Sequence, residues 1–87
     1  MCDLCNLDKL TTWYYEDDDI VVCDCIICKI PMVVAKKHTM RPGRHVEMKM
    51  ISQLNKTAIA FYGDTNYRID TNQRKIPDHI HWHARPK

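Results

Sequence analysis

Around residue 80 the sequence holds a row of three histidines that alternate with large apolar residues: His79, Ile80, His81, Trp82 and His83. Successive side chains of a β-strand point to opposite faces of its sheet. A strand here would therefore place the three imidazoles on one face and Ile80 with Trp82 on the other. Neighbouring imidazoles would lie roughly 6–7 Å apart, because a strand rises about 3.3 Å per residue. Such a row can bind a metal ion, attack a phosphate group, or do both.

Length and composition predict a single small domain covering residues 1–87. Hydrophobic residues make up 45% of the chain and charged residues 28%, which is typical of soluble globular proteins. A domain of this size buries only about 60% of its unfolded surface, so we expect a metal ion, disulfides or a partner subunit to stabilise it. The net charge of +2 is too small to indicate nucleic-acid binding.

The cysteine content and the first residues of the chain predict a cytoplasmic protein. The five cysteines are an odd number, so a pure disulfide framework would leave one over. Residues 1–5 have neither the basic region nor the apolar stretch of a signal peptide, and no apolar run approaches the roughly 20 residues that span a bilayer. In a reducing compartment, a Cys-x-x-Cys pair indicates metal or redox chemistry instead of a structural disulfide.

Hydrophobic patterning predicts several short strands and one long helix. Strands are expected at residues 12–15, 20–25, 32–35, 67–70 and 76–85. Pro31 is expected to end regular pairing in the connector before the third strand. The helix is expected to run from about Arg44 to Tyr62, with Gly63 ending it. Its apolar stripe, which we expect to form the core, comprises Val46, Met50, Ile51, Leu54, Ala58 and Phe61.

Cys2 and Cys5 form a Cys-x-x-Cys pair that can direct two thiolates at one tetrahedral zinc ion. Two further ligands would come from elsewhere in the fold. The candidates are His38, after the third predicted strand, and His79, with His45 in the helix as a further one. Zinc would then join distant segments and add its binding free energy to folding. The alternative is that the cysteines pack as small reduced side chains and that His38 and His45 are solvated.

A second group of cysteines consists of Cys23, Cys25 and Cys28. Cys23 and Cys25 alternate onto one face of the second predicted strand, and Cys28 lies in the connector that follows. We expect them to be buried small apolar residues, because three thiols without a fourth ligand make a poor zinc site. A second metal or a redox pair is the alternative.

The order of these motifs resembles that of the histidine-triad (HIT) superfamily, whose signature is three histidines separated by apolar residues. Residues 79–85 resemble this signature, and residues 14–18 resemble the turn before the family's second strand. Residues 32–38 resemble the family's strand that ends in a histidine. The long helix follows in its expected place. The resemblance implies an α+β fold, with a small antiparallel β-sheet and one long helix across one face, commonly in a homodimer.

The resemblance also implies a nucleotide-binding protein with a purine nucleotide as ligand or substrate. Known members hydrolyse or transfer at the α-phosphate through a covalent nucleotidyl-histidine, as in nucleotide phosphoramidases and dinucleoside polyphosphate hydrolases. Carried over, His81 would be the nucleophile and His83 a phosphate-contacting or orienting partner. Many bacterial members bind zinc through a Cys-x-x-Cys pair and two histidines, and the corresponding residues here are Cys2, Cys5, His38 and His79.

The sequence departs from the family pattern before and within the triad. Active members have a Gly-rich stretch with Gln or Ser just before the triad, which contacts the phosphates. The corresponding residues 73–78 begin with Gln73 and contain no glycine. Arg74 and Lys75 could replace those contacts, or they are solvated charges. Ala35 stands in place of the usual proline, and Arg85 occupies an apolar position of the signature. Two alternatives to an enzyme are a catalytically inactive zinc-binding HIT-like module that binds a nucleotide or a protein partner, and an unrelated small zinc protein.

Overall fold

The computed structural model describes residues 12–25, 29–73, 76 and 79–87. These residues form a five-stranded antiparallel sheet and one helix, which confirms the predicted α+β class. The elements are β1 (Trp13–Glu16), β2 (Ile20–Asp24), β3 (Pro31–Ala35), α1 (Arg44–Tyr62), β4 (Tyr67–Asp70) and β5 (His81–Pro86).

The strands follow the order β1-β2-β3-β5-β4, so β5 lies inside the sheet between β3 and β4. His81 pairs with Val34, and His83 pairs with Met32 on one side and Asp70 on the other. Paired residues project to the same face of a sheet. The two histidines therefore share a face with Met32 and Val34 of β3.

Helix α1 covers the other face of the sheet. Met50, Leu54 and Ala58 of the predicted stripe are fully buried there. Phe61 was wrongly predicted to belong to the core, since it is 49% exposed. Tyr62 packs against the core instead, and its hydroxyl donates a hydrogen bond to the Ala84 carbonyl at 3.0 Å. At 3.6 residues per turn, a residue four positions after Ala58 returns closer to the buried stripe than one three positions after it.

A second apolar cluster lies on the face opposite α1, formed by Val21, Cys23, Met32 and Val34 with Trp13, Cys25 and Ile76 packed against it. Cys23 and Cys25 thus share one face, as expected, but only Cys23 is buried and Cys25 is half-buried. Cys28 lies outside the described residues. A bulge in β1 separates Trp13 from Tyr15. Trp13 consequently packs on this face and Tyr15 on the helix side.

Several strand ends differ from the prediction by one residue, and the starts of β3 and β5 differ for a physical reason. Pro31 does not end the pairing but begins β3 opposite Asp24, because the missing N–H of proline is tolerated at the first residue of a strand. The histidine strand begins at His81 instead of Ile76, since Ile76 has a φ of +51°, outside the extended region. The predicted bounds of α1 are confirmed.

Two glycines flank α1. Gly43 precedes it with φ +100°, and Gly63 follows it with φ +95°, a region that side chains rarely adopt. The Gly63 amide donates to the Ile59 carbonyl at 2.9 Å and ends the helix as predicted. Within the described part of the chain, no helix combines the length and apolarity that crossing a membrane requires.

Asp17 fixes the turn between β1 and β2 against the helix. Its carboxylate accepts the amides of Asp19 and Ile20 at 2.8 and 3.0 Å, and the Tyr15 hydroxyl at 2.7 Å. Lys49 of α1 lies 2.9 Å from the same carboxylate. Burial opposes ionisation of Asp17, but the hydrogen bonds from Lys49, Tyr15 and the amides outweigh it and hold the pKa of Asp17 well below its usual range.

Candidate functional site

His81 and His83 lie side by side on the sheet face opposite α1. They are 6% and 8% exposed, and their ring centroids are 5.6 Å apart in an edge-to-face arrangement. Ile80 belongs to the core beneath α1, and Trp82 packs against that core. The alternation predicted from the sequence is therefore confirmed from Ile80 to His83.

His79 precedes β5, so the predicted row is divided between a bend and a strand. Its side chain is completely buried, and its Nε2 lies 2.6 Å from the carbonyl oxygen of Ala35. Because a carbonyl only accepts, Nε2 carries the hydrogen, and the lone pair of the neutral ring lies on Nδ1. The exposed ring of His38, which follows β3, has its centroid 5.1 Å from that of His79.

The imidazole of His81 is oriented by the main chain of His79. Its Nδ1 lies 2.8 Å from the His79 carbonyl oxygen. That oxygen accepts the Nδ1 hydrogen, so the lone pair of the neutral His81 ring lies on Nε2. In the histidine row this arrangement makes Nε2 of His81 the nitrogen that can act as a nucleophile.

Gln73 connects the segment before β5 to the histidines. Its Nε2 donates to the carbonyl oxygens of His79 at 2.8 Å and Ile76 at 3.2 Å. Its Oε1 accepts the His81 amide at 3.1 Å. Sequence reasoning placed Gln73 in the stretch where active HIT members contact the phosphates, but it did not predict these contacts with the main chain, because a loop without periodicity does not indicate where a side chain points.

Comparison with known proteins identifies the fold. No protein-family model and no curated protein sequence matches the chain. Among solved structures, the chain superposes on a HIT family protein from Bacillus anthracis str. 'Ames Ancestor' with a TM-score of 0.68. The chain has a HIT-like fold. The match covers 99% of this chain and 70% of that chain at 20% sequence identity, so the likeness concerns the fold alone.

The HIT-like fold brings together two of the four predicted zinc ligands. His38 and His79 are close enough for both rings to bind one ion, and imidazole nitrogens are ligands that zinc prefers. The other two, Cys2 and Cys5, lie outside the described residues. Among the residues that are described, no group of three or more histidine, cysteine or acidic side chains could hold a metal ion. His45 lies exposed on α1, which agrees with the alternative prediction that its side chain is solvated.

Asp70 and Arg85 form an ion pair beside the triad of this HIT-like chain. The Arg85 Nε lies 2.6 Å from Oδ2 of Asp70, which is only 6% exposed. The other carboxylate oxygen accepts the Asn72 amide at 3.0 Å. Asp70 is also the register partner of His83. Arg85 thus stands at an apolar position of the signature because it pairs with Asp70. The acidic residue at the end of β4 was the sequence signal that could have indicated this pair.

A cavity of about 380 Å³ lies away from the histidines, between β1 and α1. Its lining residues are Tyr14, Gln53, Lys56, Thr57, Ala60 and Phe61. Tyr14 donates to Asp24 at 2.8 Å, and burial together with this bond raises the pKa of Tyr14 to about 12. Because none of the triad histidines lines it, this cavity does not support a nucleotide site at His81.

Proposed function

We propose that this HIT-like chain is a nucleotide hydrolase or transferase that acts at an α-phosphate through Nε2 of His81. The observation that supports the proposal most is the hydrogen bond from Nδ1 of His81 to the His79 carbonyl at 2.8 Å. It selects the tautomer in which Nε2 holds the lone pair, as a nucleophilic imidazole requires. His83 lies on the same face, 5.6 Å away between ring centroids.

In the first step, the Nε2 lone pair of His81 attacks the α-phosphorus and forms an N–P bond. The bond from phosphorus to the leaving group breaks, and the leaving group takes the electron pair and one proton from solvent. In the second step, water adds to phosphorus and releases one proton to solvent. The N–P bond then breaks, and its electron pair returns to Nε2. The products are a nucleoside monophosphate and the protonated leaving group.

His83 is proposed as the partner that contacts the phosphate or orients it. A protonated imidazole placed at this distance from the nucleophile stabilises the negative charge on the phosphoryl oxygens. The proposed substrates are purine nucleotides with a phosphoramidate or polyphosphate linkage. The His79 carbonyl faces the Nδ1–H of His81, so it also stabilises the positive charge that the imidazole carries in the covalent intermediate.

We propose in addition that Cys2, Cys5, His38 and His79 hold a structural zinc ion. The close approach of His38 and His79 supports this assignment. Two thiolates and two imidazoles form a donor set that zinc binds tetrahedrally, and the ion would supply folding free energy to a small core. The proposed reaction draws on no chemistry of the metal.

The decisive test is hydrolysis of adenosine 5′-phosphoramidate by the purified protein, its His81→Ala variant and a His45→Ala control. His45 is an exposed histidine of α1, so its loss should leave turnover unchanged. Loss of the nucleophile should lower kcat by a factor on the order of 10³ or more. Circular dichroism should show that both variants keep the wild-type fold. Full turnover by His81→Ala would refute the assignment.

A catalytically inactive module that binds a nucleotide is the second candidate. The observation that favours it is the burial of the proposed nucleophile, since His81 is only 6% exposed. Titration calorimetry with AMP distinguishes the two functions. Binding without turnover of the phosphoramidate supports the module, whereas turnover that depends on His81 excludes it.

A further inference from the structure

We propose that Gln73 is a positioning residue that holds the His81 imidazole in its nucleophilic tautomer and does not contact the phosphate. The inference rests on the proposed function of His81. It starts from the hydrogen bonds that the side-chain amide of Gln73 makes with the main chain of Ile76, His79 and His81.

The side-chain amide of Gln73 uses all of its donors, and its oxygen, in bonds to the main chain. A glutamine amide has two N–H donors and one carbonyl acceptor. The donors are directed at the His79 and Ile76 carbonyls, at 2.8 and 3.2 Å, and the acceptor receives the His81 amide at 3.1 Å. A phosphate oxygen only accepts hydrogen bonds, so a phosphate bound to Gln73 would have to displace the bond to the Ile76 or the His79 carbonyl.

The His79 carbonyl links Gln73 to the nucleophile. This oxygen accepts one hydrogen from Nε2 of Gln73 and a second from Nδ1 of His81, both at 2.8 Å. A carbonyl oxygen has two lone pairs and can accept both. Gln73 therefore fixes the acceptor that selects the tautomer of His81. It also holds the main chain of His81 directly through the amide.

The conformation of Ile76 explains why the loop needs this support. Ile76 has a φ of +51°, a region that β-branched residues rarely adopt. No glycine occurs in residues 73–78 to adopt it without strain. The bond from Gln73 to the Ile76 carbonyl holds the strained residue, and the bond to His79 holds the end of the loop.

Nitrogen-15 NMR of the substrate-free protein at one fixed pH tests the inference without relying on activity. The wild-type His81 ring should appear as the Nδ1–H tautomer. In Gln73→Ala the His79 carbonyl is no longer held, and we expect a mixture of both tautomers. Gln53→Ala removes another half-buried glutamine, on α1, and should match the wild type. An unchanged His81 tautomer in Gln73→Ala would overturn the proposal.

Gln73→Glu is the second variant, and it decides the matter if Gln73→Ala does not fold. At a pH where the new side chain is ionised, it keeps an acceptor for the His81 amide but has no donors for the two carbonyls. We expect that amide to stay protected from hydrogen exchange while the His81 tautomers mix. Retention of the pure Nδ1–H form would show that the donors are not needed and would contradict the inference.

Kinetics on adenosine 5′-phosphoramidate add a separate readout. A positioning residue should affect kcat, by about 10–100-fold, and leave KM nearly unchanged. A raised KM with an unchanged kcat would identify Gln73 as a substrate contact and overturn the positioning role. If the wild type has no turnover, the proposed function fails, and the tautomer measurement alone still decides the role of Gln73.

Discussion

The ring of His38 lies 5.1 Å from the ring of His79, although one follows β3 and the other precedes β5. The two strands are neighbours in the sheet and run antiparallel, so the end of β3 meets the start of β5. Sheet topology thus assembles two histidines that are far apart in the sequence. A metal that bound both would fasten the strand that carries His81.

Substitution of His38 tests the proposed zinc site, and we expect it to remove the ion and lower stability. We expect His38→Ala to lose the bound metal, and chelation of the wild type to have the same effect, because zinc binding contributes to folding free energy. For a chain of this size each kcal/mol of lost stability lowers the Tm by about 4–8 °C. Elemental analysis and a thermal melt check the prediction, with His45→Ala as the control. Equal zinc content and equal Tm in both variants would exclude His38 as a ligand.

Hydrophobic periodicity predicted the regular elements, namely helix α1 and the alternating strand that carries the histidines. The bounds of α1 follow from its apolar stripe, and the opposite placement of Trp82 and His81 follows from strand alternation. The resemblance to the HIT superfamily added the antiparallel sheet, which the structure confirms. The assignments of zinc and of the nucleophile stay predictions.

Contacts made by loops could not be read from the sequence in this way. Gln73 bonds to the carbonyls of Ile76 and His79, and Ile76 has a positive φ; neither periodicity nor composition indicates these features. Pro31 was misjudged because whether a missing N–H matters depends on the position within the strand. Such features depend on tertiary geometry.

The Asp17 carboxylate should make stability depend on acid pH. Its pKa is lowered in the folded state from an ordinary value of 3.8. The bonds from Tyr15 and Lys49 therefore stabilise the fold fully above that value, and this contribution is lost as the pH falls below it. Asp17→Asn should cost about 1–2 kcal/mol at pH 7 and flatten the decline of Tm between about pH 4 and pH 2. Asp18→Asn, at an exposed neighbour, is the control, and an identical decline in both variants would contradict the prediction.

The correction to the helix stripe can be tested by truncating one buried and one exposed residue. Leu54 is completely buried, whereas Phe61 is 49% exposed. Leu54→Ala should lower the free energy of unfolding by about 2–5 kcal/mol, because it removes buried methyl groups and leaves a cavity. Phe61→Ala should cost well under half of that, even though it removes a larger side chain. Urea denaturation measures both, and equal losses would place Phe61 in the core after all.

Arg85 stands where the family signature has an apolar residue, yet an apolar residue should not suit this chain. Arg85→Leu would leave the carboxylate of Asp70 buried without the partner that lies 2.6 Å away. We expect a loss of about 1–3 kcal/mol, since removing the cation from beside a buried carboxylate costs more than the pair contributes. Arg68, the exposed register partner of Arg85, offers a matched control, and Arg68→Leu should change stability by no more than about 0.5 kcal/mol.

Adding Asp70→Asn to Arg85→Leu should recover part of the loss, because the amide carries no charge. Purely additive losses in this double-mutant cycle would show that the two residues do not stabilise the sheet as a pair.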